Sequence, residues 1–274
     1  MAPQVQATSI DGEPQVYEEK NVHAIYDEIA PHFSSTRYKP WPIIAAFISS
    51  LPIGWIGLDS GTGNGKYLPL PFDRPGAICT IGLDRSRNLL NIAKNAGNTG
   101  KIRDVVLGDI LGRGWRVAAF DYAISIATIH HLATHERRKT AVKRLIEAVS
   151  PNHGRVLIYV WAIEQDALSK RTIPVDGATG TRGQDVVVPW VLSRQDKGSQ
   201  ASTEPQVLNR YYHMFAKGEL SGLVQDAASE LGLQLGPPLG LGEAPISISR
   251  GVEMVQDGWE RSNYYVELRC WELP

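Results

Sequence analysis

The sequence predicts an α/β protein, Rossmann-like, with a mostly parallel seven-stranded sheet and helices on both faces. Three observations carry this expectation. Short apolar runs ending in an acid recur at WIGLD (55–59), AICTIGLD (77–84) and DVVLGD (104–109). Helical patterns separate the strand-like runs, an alternation that builds a parallel sheet through right-handed crossovers. A glycine-rich loop, LDSGTGNGKY (58–67), directly follows the first run.

Residues 1–16 are polar and proline-bearing and are expected to form a disordered tail before a single domain over 17–274. Val22, Ile25, Tyr26 and Ile29 then fall at i, i+3, i+4 and i+7, one face of a helix that Pro31 is expected to end. STRYKPWP (35–42) reads as loop, because residues before proline leave helical geometry, and IIAAFISSL (43–51) as a second helix. RSRNLLNIAKNAG (85–97) follows the second strand as a helix. FDYAISIATIHH (120–131) begins as a fourth strand. THERRKTAVKRLIEAVS (134–150) is an amphipathic helix with Val142, Leu145, Ile146 and Val149 on one face, and GRVLIYVWA (154–162) is a fifth strand. A polar insertion is expected at about 164–208, with VVVPWVL (186–192) as an ordered island. Strand, turn and helix over 208–233 and an antiparallel hairpin, VEMVQDGW with NYYVELRCWE, close the chain.

Bulk composition narrows the function classes. Lysine and arginine number 28 against 29 acids, a formal charge of −1, so any polyanion must be met by a local patch. Two cysteines, Cys79 and Cys270, make no disulfide scaffold, and no metal site is expected. No signal pattern opens the chain and no apolar run approaches a membrane span, so a soluble cytoplasmic or nuclear protein is expected.

The glycine loop reads Asp59-Ser-Gly61-Thr-Gly63-Asn64-Gly65, not the G-x-G-x-x-G spacing of dinucleotide enzymes. Asp84 ends the second strand, where it suits ribose hydroxyls, and Asp109 follows the third, where it suits an adenine amino group. Each acid alone equally suits a turn or a helix cap. Three acids at successive strand ends repel a pyrophosphate and fit a ligand carrying an ammonium, a ribose and an adenine: S-adenosyl-L-methionine. Arg85, Ile110 and Ile126 border the same strand ends and complete the expected cofactor set.

Several segments are more specific: VHAIYDEIAPHFSSTRYKPWP, GTGNGKYL, GLDRS, FDYAISIATIHHLATHERR, LIYVWAIEQ and DGWERSNYYVEL. Through them the chain resembles the eukaryotic tRNA wobble-uridine carboxymethyl methyltransferases, class I S-adenosylmethionine-dependent enzymes that form the methyl ester of 5-carboxymethyluridine. The resemblance runs from about Val22 to Trp161 and resumes at VPWVL and at RYYHMFAKGEL. Thr62 replaces a cysteine common in that family, and the proline-rich stretch LGPPLGLGEAPIS (235–247) does not align.

The implied reaction joins a carboxylate oxygen to a sulfonium methyl. A carboxylate is ionised at pH 7, so the site must orient rather than deprotonate. Guanidinium donors are the natural holders of such an acid. Arg37, His130 and His131 are the candidate catalytic residues. Arg37, Tyr38, Lys39, Trp41, His130, Arg137, Arg138 and Tyr212 are the candidate substrate contacts. Trp41 equally suits core packing, Lys66 a surface charge, and Arg137, Arg138, Lys139, Lys143 and Arg144 a solvated helix face in place of a phosphate-binding patch for the anticodon arm. Arg210, Tyr211, Tyr212 and His213 form a second basic and aromatic cluster. The resemblance also implies a small zinc-binding activator subunit that adds a strand to the sheet, with DVVLGD as the apolar edge. A small-molecule O-methyltransferase and a non-catalytic scaffold of the same fold are the alternatives.

Overall fold

The computed structural model describes residues 4–97, 103–167, 169, 172–174, 182–192, 206–238 and 249–273. The chain enters through β1 (Gln6–Ala7), α1 (Pro14–Glu18), one π-helical turn (Glu19–His23), α2 (Ala24–Thr36) and α3 (Pro42–Ser49). Parallel strands β2 (Ile56–Ser60), β3 (Cys79–Asp84), β4 (Val105–Leu107), β5 (Tyr122–Ile126) and β6 (Arg155–Trp161) follow, with α4 (Arg87–Ala93) after β3 and α5 (His135–Ala148) after β5. The chain ends with β7 (Gln184–Leu192), β8 (Gln206–Met214), α6 (Glu219–Glu230), β9 (Gln234–Leu235), β10 (Arg250–Glu260) and β11 (Asn263–Glu272).

The main sheet has the order β4-β3-β2-β5-β6-β11-β10-β9. β11 runs antiparallel to both β6 and β10. The seven expected strands are therefore present, and the two-residue β9 adds an eighth beside β10. β2 lies between β3 and β5, so the strand order reverses there and a crevice opens beyond its C-terminal end. The apolar face of α5 is buried as expected, with Val142, Leu145, Ile146 and the following Val149 packed against β5, β6 and α6. Each such side chain contributes roughly 1.5–3 kcal/mol of burial. On the opposite face, Ile44, Phe47 and Ile48 of α3 close over Tyr122, Ile124, Leu157 and Tyr159.

Three expectations change. Pro31 does not end the helix; α2 continues to Thr36. Proline deprives the Asp27 carbonyl of its helical donor, and Asn88 Nδ2 donates to that carbonyl at 3.0 Å instead. The Asp27 carboxylate also accepts from Ser86 Oγ and the Asn88 amide, which seats α2 on the start of α4. The tail expected to be disordered is ordered over much of its described length: β1 pairs with β7 and α1 starts on Pro14. Polarity hid this, because a two-residue strand needs a partner edge more than it needs apolar side chains. The insertion at 164–208 contains more than an island. β7 spans nine residues and pairs antiparallel with β8, making a small second sheet, β1-β7-β8. Residues 168, 170–171, 175–181 and 193–205 of the insertion, and 239–248 of the proline-rich stretch, lie outside the described residues. No helix among the described residues is long and apolar enough to cross a membrane.

Candidate active site

The glycine loop leaves β2 on three left-handed residues, Gly61 (φ 88°), Gly63 (φ 56°) and Gly65 (φ 74°). A Cβ on Gly61 would sit 2.1 Å from the Thr128 side chain, and one on Gly65 would sit 2.8 Å from Ala93 of α4. At Gly63 the nearest atom is Phe33 at 3.9 Å, so this face of the loop opens into the cleft. Thr62 does more than fill a turn: its hydroxyl donates to Asp59 Oδ2 at 2.7 Å. Asp59 is fully buried and Oδ1 has no partner, so burial pushes its carboxyl up to about 7, with the nearby Asp84 raising it further and Thr62 and Lys66 opposing.

Asp84 accepts from the Gly63 amide at 2.8 Å and the Ser86 amide at 2.9 Å. Asp109 accepts from the Leu111 amide and pairs with Arg85 at 3.1 Å. These acids, with Gly61, Gly63, Asn64, Arg85, Ile110 and Ile126, line one end of a cleft of about 1230 Å³, including its open mouth. Asp59 and Gly65 stand behind that wall and hold the loop in place; neither lines the cleft. An open, side-chain-free backbone at Gly63 beside two strand-end carboxylates fits an adenosyl amino acid and would repel a pyrophosphate.

The other end of the cleft is built where β5 stops. Ala127 takes a left-handed turn (φ 54°), with its amide held by the Tyr159 carbonyl at 2.7 Å. The chain then makes one 3-10 turn over Ile129–His131, which carries both histidines into the cleft. His130 Nδ1 accepts from the Trp161 amide at 3.1 Å, so its ring proton resides on Nε2. His131 Nδ1 donates to the Tyr211 carbonyl at 2.8 Å. Burial pushes the His131 pKa down to about 3 against that hydrogen bond, and Arg210 acts in the same direction. His131 is therefore a neutral imidazole at physiological pH.

Tyr212 stacks on Trp161, with centroids 4.2 Å apart and planes at 8°, and its hydroxyl meets that of Tyr26 at 2.8 Å. Arg37 caps α2 at the rim, and its carbonyl accepts from Asn64 Nδ2 at 3.3 Å, which ties the N-terminal segment to the glycine loop. Trp41 is packed as a core residue would be, with its ring on Tyr159, and it also lines the cleft. Lys66 is no surface charge. It lies above the Trp41 ring at 4.8 Å, and burial lowers its pKa to about 8.

Four expected substrate contacts are placed elsewhere. Tyr38 and Lys39 stand exposed outside the cleft, with the Lys39 ammonium over the Tyr38 ring. Arg137 forms a two-pronged pair with the buried Glu18, with contacts of 2.7 and 2.6 Å, and so clamps α1 to α5. Arg138 is buried, donating to the Leu132 carbonyl. Lys139 and Lys143 share Glu230, and Arg144 pairs with Glu147. The basic side chains of this helix are thus engaged within the chain itself, with Lys143 and Glu230 paired at the surface. The RYYH cluster also divides, because strand side chains alternate. Arg210 and Tyr212 face the cleft, whereas Tyr211 and His213 bind Asp185 on the other side. Arg210, Tyr26, Thr128 and Trp161 are cleft residues that sequence patterns did not single out for the site.

A family model described as "Methyltransferase domain" matches residues 58–157. Among solved structures, a Burkholderia thailandensis 1,6-didemethyltoxoflavin-N1-methyltransferase with bound S-adenosylhomocysteine aligns with a TM-score of 0.57 at 14% identity, over 98% of this chain and 95% of its own. Fold, cleft and family model define a class I methyltransferase dependent on S-adenosylmethionine. Relatives narrow this further. The tRNA (carboxymethyluridine(34)-5-O)-methyltransferase of Schizosaccharomyces pombe is 41% identical over 78% of this chain and 91% of its own length. The tRNA (carboxymethyluridine(34)-5-O)-methyltransferase alkbh8 of Xenopus tropicalis is 37% identical over 75% of this chain, which spans only 37% of that longer protein. The chain belongs to the tRNA (carboxymethyluridine(34)-5-O)-methyltransferase family.

Proposed function

We propose that this chain methylates the side-chain carboxylate of 5-carboxymethyluridine at the wobble position of tRNA, giving the methyl ester, and that it works with a small zinc-binding activator. The observation that carries the acceptor is that, among the described residues, neither histidine at the acceptor end is poised as a base and Lys66, with a pKa of about 8, is mostly charged at neutral pH. His131 is held neutral with a pKa of about 3, His130 uses Nδ1 on Trp161, and the carboxylates lining the cleft, Asp84 and Asp109, lie at the other end. A hydroxyl or amine acceptor would need its proton taken; a carboxylate arrives ready to attack. The names of the relatives agree with this acceptor.

Bound S-adenosylmethionine supplies an electrophilic methyl on a sulfonium. Gly61, Gly63, Asn64, Asp84, Arg85, Asp109, Ile110 and Ile126 would hold it. His130 offers an Nε2–H donor near the acceptor, and the Trp161–Tyr212 stack and Trp41 provide aromatic walls that exclude water around a base. The activator reading rests on β4, an edge strand with Val106 and Leu107 exposed. Activity on tRNA would place the protein in the cytoplasm or nucleus.

Nucleoside mass spectrometry tests the proposal. Wobble-carboxymethylated, unesterified tRNA and its carbamoylmethyl counterpart are each incubated with the chain and S-adenosylmethionine, with and without the activator. Methyl ester from the acid alone, chiefly with the activator present, is expected. Equal methylation of both tRNAs, or methylation of neither despite S-adenosylhomocysteine binding, would contradict it.

A further inference from the structure

Arg210 is a buried guanidinium, 5% exposed, on the cleft wall. Three rings surround it: Trp190 at 4.5 Å, Tyr212 at 5.3 Å and Tyr26 at 5.5 Å. One NH group donates to the Tyr26 hydroxyl at 3.1 Å, and Nε, although buried, has no hydrogen-bond partner. No carboxylate among the described residues pairs with it, although eleven other basic side chains, counting histidines, have such partners. Aromatic faces attract a cation but cannot neutralise it. A desolvated charge without a counter-ion is costly, and a fold retains one where a ligand supplies the opposite charge.

We infer that Arg210 is the anchor for the acceptor's carboxylate. This rests on the proposed function and names the group that reads its acid. A guanidinium fork engages both carboxylate oxygens on their near lone pairs and leaves the far lone pairs free for bond formation. Tyr212, which stacks against the Arg210 side of the cleft, also touches His130 and His131. Arg210 thus belongs to the acceptor end. The cofactor's own amino-acid carboxylate is the other anion this cleft would receive. Arg37 lies over the same Trp190 ring at 5.7 Å, but it is exposed, where water screens its charge, and its carbonyl is tied to Asn64 of the glycine loop.

The test compares wild type, R210Q and R210K, together with the activator, on carboxymethylated tRNA. S-adenosylhomocysteine affinity by calorimetry and the melting temperature accompany the kinetics. R210Q is expected to lose about 10²-fold or more in kcat/KM, the scale of a buried charge pair with one partner removed. Its tRNA affinity should no longer distinguish the acid from the carbamoylmethyl form, and its S-adenosylhomocysteine affinity should stay within about threefold of wild type. R210K keeps the charge but loses the fork; it should fall between the two and still prefer the acid. If R210Q does not fold, R210K decides: a KM equal to wild type's would overturn the assignment. Unchanged kinetics in R210Q, or a loss confined to S-adenosylhomocysteine affinity, would overturn it as well. Wild type that forms no ester would instead remove the proposed function on which the inference rests.

Discussion

Asp59 shows how this site trades stability for geometry. Burial raises its carboxyl from 3.8 to about 7. A folded pKa above the unfolded one means that the native state holds the proton more tightly. Stability from this residue is therefore present in acid and lost as pH rises from about 4 to about 7. Asp59→Asn keeps an acceptor for Thr62 and removes the charge. It should stabilise the protein by on the order of 2 kcal/mol at pH 8 and by clearly less at pH 5, while weakening S-adenosylhomocysteine binding through a loosened glycine loop. Denaturant melts at both pH values, with calorimetry, check this; an equal effect at the two pH values would refute the buried charge. Gly65 makes a different demand. Gly65→Ala places a Cβ 2.8 Å from Ala93 on a left-handed backbone and should cost about 1–3 kcal/mol in the same melts. Gly114→Ala, with nothing within 4 Å and no left-handed φ, should be close to neutral.

α5 is an element whose charge was legible and whose use was not. Its apolar stripe at Val142, Leu145, Ile146 and Val149 follows directly from helical period, and so does its burial. The destination of its basic residues depends on partners far away in sequence: Glu18 for Arg137, and Glu230 for Lys139 and Lys143. No local pattern encodes such pairs. Arg137→Ala leaves the buried Glu18 uncompensated and should cost about 3 kcal/mol or more, with earlier proteolytic cleavage near α1. It should leave the salt dependence of tRNA binding unchanged; a shallower salt slope would return this helix to the tRNA interface. The glycine loop, Asp84 and Asp109 were readable because strand ends and tight turns are local. Arg210 was harder: its segment reads as a strand, but only the fold decides that Arg210 and Tyr212, and not Tyr211 and His213, face the cleft. Pro31 misled because its rescue is not local: the donor that satisfies the Asp27 carbonyl is Asn88, 61 residues further along the chain.

At the scale of the whole molecule, the main sheet sets the proposed cofactor end over β2, β3 and β4 and the proposed acceptor end over β5 and β6, which β8 of the small sheet borders. This leaves β4 as a short, partly apolar edge. Replacing Val106 and Leu107 with lysine should abolish stimulation by the activator while S-adenosylhomocysteine affinity in the isolated chain holds; persistent stimulation would move the partner to another surface. The central claim is that the cleft presents an already ionised carboxylate for direct attack, with no base and no activation of the acid. The most direct measurement starts from carboxymethylated tRNA labelled with heavy oxygen at both carboxylate positions. After methyl transfer, the ester nucleoside is weighed. Attack by the carboxylate retains both labels in the ester. Loss of one label would mean that the carbon–oxygen bond of the acid breaks, and the account would be wrong.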